Sequence, residues 1–537
     1  MSTSVARSRS LPVAACADPR LSTACLLALV AVGACGGDDF PRPNPDAPVV
    51  RVASPGRVFA IAPQLSWSYY TAQAGQYVFE GLTRTEEDGT LVPALARTWE
   101  ETADARAYRL RLRAGVTFHD GTPFTARDVV RAWSDLLREP VGELSHPWML
   151  DGIEGVAAYS RGQAAEVSGL VIENDSTLLV RLTEPLAFFP TLLSHAQAVI
   201  GGAASRPDHP NGTGPWRFVS LDSAAIRFAA NESYWNGRPR LDSLIYRHVP
   251  NALTATAFEA GRVDVAAELP TATRVEWSTR ADIGFVESEA VTTTRLVINM
   301  RDSLFHDVRI RHALNHSINA ARLAEGTAAA SVLRAAGSIP PSLPGADPQR
   351  EPYAFDPTLA RRLLREAGYP FERPLRLWVP APGLSDFPAQ IGPLLRDYFE
   401  AVGFNVALTV NSEGIDTVLA AGLADLTLTV WVGDYPDGDA FLYPLYHSAV
   451  AGSAGNEGAY ADPVVDSLID ASRREFGPRR RAELLRWADQ LVFDEAPVVF
   501  LWFTRTATAY SLRLAGWGRD PQLSRFLDLR LAAEPAR

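Results

Sequence analysis

The sequence predicts an α/β protein of more than one domain, on three observations. Strand-like and helix-like segments alternate through its second half at lengths suited to crossover units on a mainly parallel sheet. The first half is richer in turns and short strands, and the style changes near residue 290. The chain has 537 residues, 47% hydrophobic and 21% charged. At roughly 100 to 200 residues per domain it holds two to four domains, each long enough for a substantial core.

The elements follow in chain order. ACLLALVAVGAC at 24–35, preceded by Arg7, Arg9 and Arg20, is shorter than the about 20 residues of a spanning helix. Its charged flank, apolar core and small residues before a cut are those of an export signal. Residues 36–50, rich in Gly, Asp and Pro, read as a flexible tether. YRLRLRAGVTF from 108 alternates as a half-buried strand does, and HDGTPF ends it with turn chemistry at Asp120, Gly121 and Pro123. TARDVVRAWSDLLRE reads as a helix: Thr125 caps it, Asp128 stands close to a capping-box position, and Val129, Ala132, Trp133, Leu136 and Leu137 form one stripe. Shorter strand phrases follow at 176–184, around 211 and at 261–270.

Beyond the style change, TTTRLVINM at 292–300 reads as a strand and 307–326 as a helix ended by Gly326. Asp356 and Pro357 start a further helix and Gly368 stops it. PLRLWVP at 374–380 is a strand, AQIGPLLRDYFEAVG a helix, and FNVALTV at 404–410 a strand.

Composition and motifs exclude several chemistries. Cys16, Cys25 and Cys35 all lie in the first 35 residues, so the body can form no disulfide and no thiolate metal site. There is no G-x-S-x-G elbow and no glycine string placed to cradle a phosphate. His312 and His316 share a helix face, but Ala313 stands where a zinc protease needs glutamate, so local bonding is the expectation; His119 reads as a turn-orienting residue. A formal charge of -11 without a basic cluster argues against nucleic acid as a partner.

LTVWVGDYPDGDAFLYPLY at 428–446 brings Asp434, Asp437 and Asp439 together after a strand. Pro436 and Gly438 occupy positions where a calcium loop needs ligands, so that template fails. One carboxylate at a strand end can accept a charge-assisted hydrogen bond from an ammonium group, beside the flat face of Trp431. Exposed strand backbone can pair with an extended ligand. That combination recognises without reacting, with Asp437 and Asp439 left to shape and solvate the turn.

Several strings recur in a known order: YVFEGLTR at 77–84, GTLVPALARTWE at 89–100, LRAGVTFHDGTPFTARDVVRAW at 112–133 and GTGPWRF at 212–218. NESYWNGRPRLDSLIY at 231–246, FHDVRIRHALNHSIN at 305–319, DPTLARRLLREAGY at 356–369, DYPDGDAFL at 434–442 and DEAPVVFLWF at 494–503 complete the series. Together they resemble the family 5 extracellular solute-binding proteins of bacterial ABC importers, the oligopeptide, dipeptide and nickel binding group, from about residue 50 to the C-terminus.

The resemblance implies a two-lobed α/β fold like that of type II periplasmic binding proteins, with an additional subdomain inserted in lobe I. It implies a signal peptide at 1–34, an anchored tether at 35–50, and lobe I at 51–290 with the insertion at about 80–200. Lobe II would be 291–509, with 510–537 returning to lobe I. The VGAC string resembles a lipoprotein cleavage box, which would make Cys35 the acylated first residue of a monomer held on the extracytoplasmic face of the cell membrane. The protein would be no enzyme and need no cofactor; its partners would be a short peptide, or another small solute such as a metal chelate, opine or oligosaccharide, and permease and ATPase subunits. An exported peptide chaperone is the more distant alternative. By match to peptide-binding relatives, Asp434 would accept the peptide ammonium, Trp431 would lie beside it, and Val430 and Val432 would pair with ligand backbone. Asn299, Tyr69, Tyr70 and Trp378 would line the cleft. Leu428 departs from the pattern, standing where an oligopeptide-binding relative can place arginine.

Overall fold

The computed structural model describes residues 48–65, 69–86, 90–102, 106–138, 147–267, 269, 271–325, 332–381, 391–411, 415–433, 435–452, 455–515 and 530–531. Cys35 and the expected signal and tether up to residue 47 lie outside the described residues, as does Asp434.

The strands that organise the fold are, in chain order, β1 (Val49–Ser54), β2 (Ala96–Glu101), β3 (Ala107–Leu112), β4 (Leu170–Asn174), β5 (Thr177–Arg181), β6 (Trp216–Leu221), β7 (Ala225–Ala230) and β8 (Ser243–His248). There follow β9 (Val265–Ala266), β10 (Ile283–Ile298), β11 (Pro374–Pro380), β12 (Asn405–Asn411), β13 (Leu426–Val432) and β14 (Val498–Ser511). Ten of these form one sheet in the order β12-β11-β13-β10-β14-β9-β1-β8-β7-β6, with Val332–Arg334 added beside β14. β2 to β5 make a separate four-stranded sheet, ordered β2-β3-β5-β4.

β10 and β14 are the long members of the large sheet, and both run through its two halves. Ile283–Glu289 of β10 pairs with Arg505–Ser511 of β14, and Thr293–Val297 with Val498–Phe503. The register shifts between Glu289 and Thr293, where an irregularity interrupts the ladder. β9 joins β14 through Tyr510 and Ala509, on the first side of that break, and β1 and β8 lie beyond it. β13 joins β10 at Thr292–Ile298, on the second side, and β11 and β12 lie beyond it. The architecture is a two-lobed α/β fold whose lobes share a continuous sheet.

Strand direction follows from the pairing. β1, β8 and β9 run parallel to one another, and β9 is antiparallel to β14, so all three point the same way as β10. β13 is antiparallel to β10, and β11 and β12 are parallel to β13. The carboxyl ends of the parallel strands in one lobe therefore face those of the other across the register break. A buried anchor fixes the lobe I side: Asp264 accepts from Arg51 N at 2.8 Å, from Arg51 Nη1 at 3.1 Å and from Arg513 Nε at 2.6 Å.

The four-stranded sheet belongs to an excursion closed by an antiparallel bridge between Glu80 and Ile200. Its main helix is α2 (Ala126–Arg138), following α1 (Tyr69–Val78) in the chain. α2 forms as the sequence dictates: Asp128 accepts from Thr125 N at 2.9 Å and Thr125 Oγ1 at 3.0 Å, while Val129, Trp133, Leu136 and Leu137 are buried. At its root the Glu80 carboxylate is fully buried and accepts from Thr213 Oγ1 at 2.9 Å, Tyr234 OH at 2.8 Å and Trp235 Nε1 at 2.9 Å. This fastens the excursion to lobe I.

In the second half, α3 (Val308–Ser317) and α4 (Ala320–Glu325) replace the single helix expected over 307–326. Ile318 is extended, and Asn319 Oδ1 accepts from Arg322 N at 3.0 Å, so the asparagine caps a new helix instead of continuing the old one. α5 (Pro357–Glu366) is capped by Asp356, which accepts from Thr358 N and Leu359 N, with Pro357 in its first turn. α6 (Ile391–Ala401) packs on the sheet, and α7 (Asp439–Tyr446), α8 (Pro463–Arg474) and α9 (Pro478–Glu495) complete the helices used below.

The Glu80 junction yields a stability prediction. Glu80→Ala leaves three buried donors without their acceptor, and urea unfolding should show a loss of about 3 kcal/mol or more. A loss below about 1 kcal/mol would mean that the carboxylate is not the fastener.

Candidate functional site

The facing strand ends set where a ligand site can form, because the crevice outside the carboxyl ends of parallel strands is where open α/β sheets bind ligands. On the lobe II side, β13 buries Leu426 and Leu428 and then emerges, leaving Val430 and Val432 each 41% exposed. Its pairing with β11 stops at Leu377↔Leu426 and Trp378↔Thr427, whereas its pairing with β10 continues to Val432↔Thr292. Among the described residues, the Leu428–Val432 edge turned away from β10 has no strand partner. It presents backbone donors and acceptors to an incoming extended chain. Trp431 is partly buried between the two valines, and its Nε1 donates to Ala440 O at 2.9 Å, which fixes the indole against α7.

On the lobe I side, Tyr70 opens α1 and its ring lies directly on Gly56, just past β1. A β-carbon at Gly56 would fall 1.8 Å from Tyr70 Cδ2, so only glycine allows this approach. Tyr69 belongs to the same helix, but its side chain lies outside the description.

Two of the expected cleft residues take other places. Asn299 is buried, donates from Nδ2 to Leu419 O and Ala424 O at 3.1 Å each, and accepts from Arg301 N at 3.3 Å. Its amide is consumed in tying the end of β10 to the loop before β13. Trp378 is only 5% exposed and packs with Val297, Val418, Leu419 and Ala424. Both sit on the covered side of the sheet, a distinction that strand alternation in a doubly covered sheet does not print.

Asp437 and Asp439 require the larger correction, since both are buried and neither solvates a turn. Asp437 receives a bidentate pair from Arg481, Nη1 to Oδ2 at 2.5 Å and Nη2 to Oδ1 at 2.8 Å, and its Oδ1 also accepts from Asp439 N at 2.8 Å. Asp439 is fully buried, accepts from Tyr435 OH at 2.7 Å, and lies 3.5 Å from Arg473 Nε. The warning was in the sequence: DAFLYPLY has Asp439 as its one charged residue, and a helix apolar on nearly every face is a buried helix. Its partners, about 35 to 45 positions later on α8 and α9, gave no local signal.

This cluster seats the excursion against lobe II. Tyr435 stacks with Phe188 at 6.1 Å between centroids and lies at 5.9 Å from Trp148. The Arg473 and Arg481 guanidinium groups lie 5.2 Å and 4.9 Å from the Phe188 centroid. Ala187 N donates to Arg473 O at 2.8 Å, and Glu184 accepts from Arg474 Nη2 at 2.5 Å. The segment from Tyr435 to Asp439 is thus held from both sides, by α8 and α9 and by the excursion.

The histidines do what their spacing suggested. His312 Nε2 contacts Asp494 O at 2.7 Å and His316 Nδ1 contacts Ala354 O at 2.8 Å, so each is engaged by backbone separately. His119 Nε2 contacts Gly214 O at 2.9 Å, and burial lowers its pKa. Among the described residues there is no metal-binding group of His, Cys, Asp and Glu.

Residues 90–453 match the family described as bacterial extracellular solute-binding proteins, family 5 Middle. The chain is 27% identical over 475 residues to heme-binding protein A of Haemophilus influenzae, covering 83% of this chain and 85% of that one. It is 26% identical to di/tripeptide-binding protein 2 of Pseudomonas aeruginosa, covering 81% and 85%. Among solved structures, the periplasmic binding protein DppA of Helicobacter pylori in complex with the peptide STSA superposes with a TM-score of 0.78 at 20% identity, covering 90% of this chain and 98% of that chain.

The buried Asp439 predicts a pH effect. Burial raises its carboxyl above the ordinary 3.8, against the opposing pull of Arg473 and Arg481. The folded protein then holds this proton more tightly than the unfolded chain does, so the stability it contributes is full at acid pH and is lost as pH rises through the raised value. Asp439→Asn removes that loss. As pH rises from about 4, its unfolding free energy should fall less steeply than that of the parent protein; parallel curves in urea titrations would exclude Asp439 as the source.

Proposed function

The chain belongs to the bacterial extracellular solute-binding proteins of family 5, the non-catalytic solute-capturing components of ABC importers, and from that premise we propose that it captures short peptides between its lobes. The observation that carries this reading is the open edge of β13, where Val430 and Val432 flank a fixed Trp431 and the neighbouring strand has already ended. Such an edge pairs with main chain of any sequence. Asp434, two residues past Val432, would accept the ligand ammonium as it does by resemblance in peptide-binding relatives. Tyr70, and Tyr69 beside it, would close the chamber from lobe I.

A ligand that touches both lobes favours the closed arrangement over the open one, with the motion centred on the register break of β10 and β14. The closed form would dock on permease subunits, and ATP would be consumed by partner ATPase subunits. In this reading Cys35 carries the lipid that holds the protein at the extracytoplasmic face, and the lobes work as a monomer.

A second reading, a non-peptide solute such as a metal chelate or opine, is favoured by one observation: Leu428 supplies no cation for a ligand carboxylate on this strand. The two readings part in one experiment. Mass spectrometry of the solute that co-purifies with the protein should return peptides, and a uniform non-peptide mass would select the second reading. In calorimetry, Asp434→Ala should weaken peptides with a free amino terminus by about tenfold or more relative to their acetylated forms. Equal weakening of both forms would refute the ammonium contact.

A further inference from the structure

A recess of about 320 Å³ opens at the carboxyl ends of β1 and β8, on the lobe I face that looks toward lobe II. Arg57, Val58 and Phe59 form one wall, just past β1; Tyr246 and His248 of β8 form the floor; the turn between β6 and β7 at Asp222 forms the third side. Phe59 is 81% exposed, an unusual state for an aromatic side chain in a protein with ample core elsewhere. Arg57 is exposed and makes no hydrogen bond or ion pair with any described residue. His248 Nδ1 is buried beneath the recess and has no hydrogen-bond partner among the described residues.

The acid in the wall does not cancel this. Asp222 accepts from Arg227 Nη1 at 2.5 Å and from Ala224 N and Ala225 N at 2.8 Å and 2.9 Å, and its pKa is lowered by Arg227 and these amides. Its charge is already matched within its own hairpin. The recess therefore keeps one uncommitted cation and a flat apolar wall. Such a set fits a carboxylate attached to an apolar side chain.

We propose that this recess takes the carboxyl-terminal residue of the bound peptide, with Arg57 on its carboxylate and Phe59 and Val58 on its side chain. The proposal rests on the peptide reading and supplies what Leu428 leaves missing on β13. It assigns specificity to a lobe I segment just past β1.

The test uses peptides of two to eight residues, each as the free acid and the carboxyl-terminal amide, titrated into the full folded body. For the lengths that bind, the free acid should be preferred by about tenfold, and Arg57→Ala should bring that ratio close to one while thermal unfolding stays unchanged. Arg57→Lys should restore part of the ratio. Phe59→Ser should weaken acid and amide alike and flatten the preference for an apolar last residue. An acid-to-amide ratio that Arg57→Ala leaves intact overturns the assignment even if Asp434→Ala behaves as expected. Absence of binding by any peptide removes the peptide reading and this assignment with it.

Discussion

The antiparallel pairing of β10 with β14 is the constraint from which the rest of this architecture follows. Because both strands pass through both halves of the sheet, every strand added on either side inherits its direction from them. The parallel strands of lobe I then end where those of lobe II end. That opposition turns strand termini of the two lobes toward each other, and it does so before any side chain is chosen. The interrupted register between Glu289 and Thr293 leaves the shared ladder weakest at the level where the lobes face each other. A fold with two independent sheets would need a separate device to bring its strand ends together.

The excursion after Glu80 adds a third body to this arrangement, and the charges around Tyr435 explain how it is seated. Buried ion pairs are poor sources of net stability, because desolvation offsets most of the attraction. They are strict about position, since a displaced partner leaves a charge buried without its counter-ion. Arg481 hydrogen-bonds the Asp437 carboxylate and Arg473 lies 3.5 Å from that of Asp439, and both guanidinium groups lie on Phe188 on their other side. Glu80 performs the matching task at the other end, where three donors from lobe I converge on one buried carboxylate. Both attachments are directional, and together they fix the excursion against both lobes.

Much of the fold could be read from local chemistry. β11 occupies the segment expected of it, Asp356 caps α5, Asp128 reaches back to Thr125 at the start of α2, and Val129, Trp133, Leu136 and Leu137 of the expected stripe are buried. The readings that failed were those needing information from far along the chain. The expected strand at 292–300 begins instead at Ile283, because its first half is stabilised by β14, more than two hundred residues later. The helix over 307–326 divides because Asn319 offers a cap that competes with continuation. Trp378 lies on a strand of a doubly covered sheet and Asn299 just past the end of another, so hydrophobic pattern could not say which way either side chain turns. At the candidate site, the exposed valines around Trp431 were legible; the arginines that bury Asp437 and Asp439 were not, being fixed by the packing of α8 and α9.

Holding the excursion against lobe II also bears on how tightly a solute can be retained. The apparent affinity of a protein whose competent arrangement is only partly populated is reduced by that fraction. If the arrangement in which Tyr435 packs on Phe188 and Ala187 N donates to Arg473 O is the one that binds, as the proposed capture requires, these contacts made by protein alone would favour it without drawing on the ligand. Less of the ligand's interaction energy would then be consumed in closing the lobes, and more would be expressed as affinity. A ligand contact on one lobe shifts the balance only insofar as the other lobe also gains from it. The proposed site, divided between the β13 edge and the strand ends of lobe I, would meet that condition.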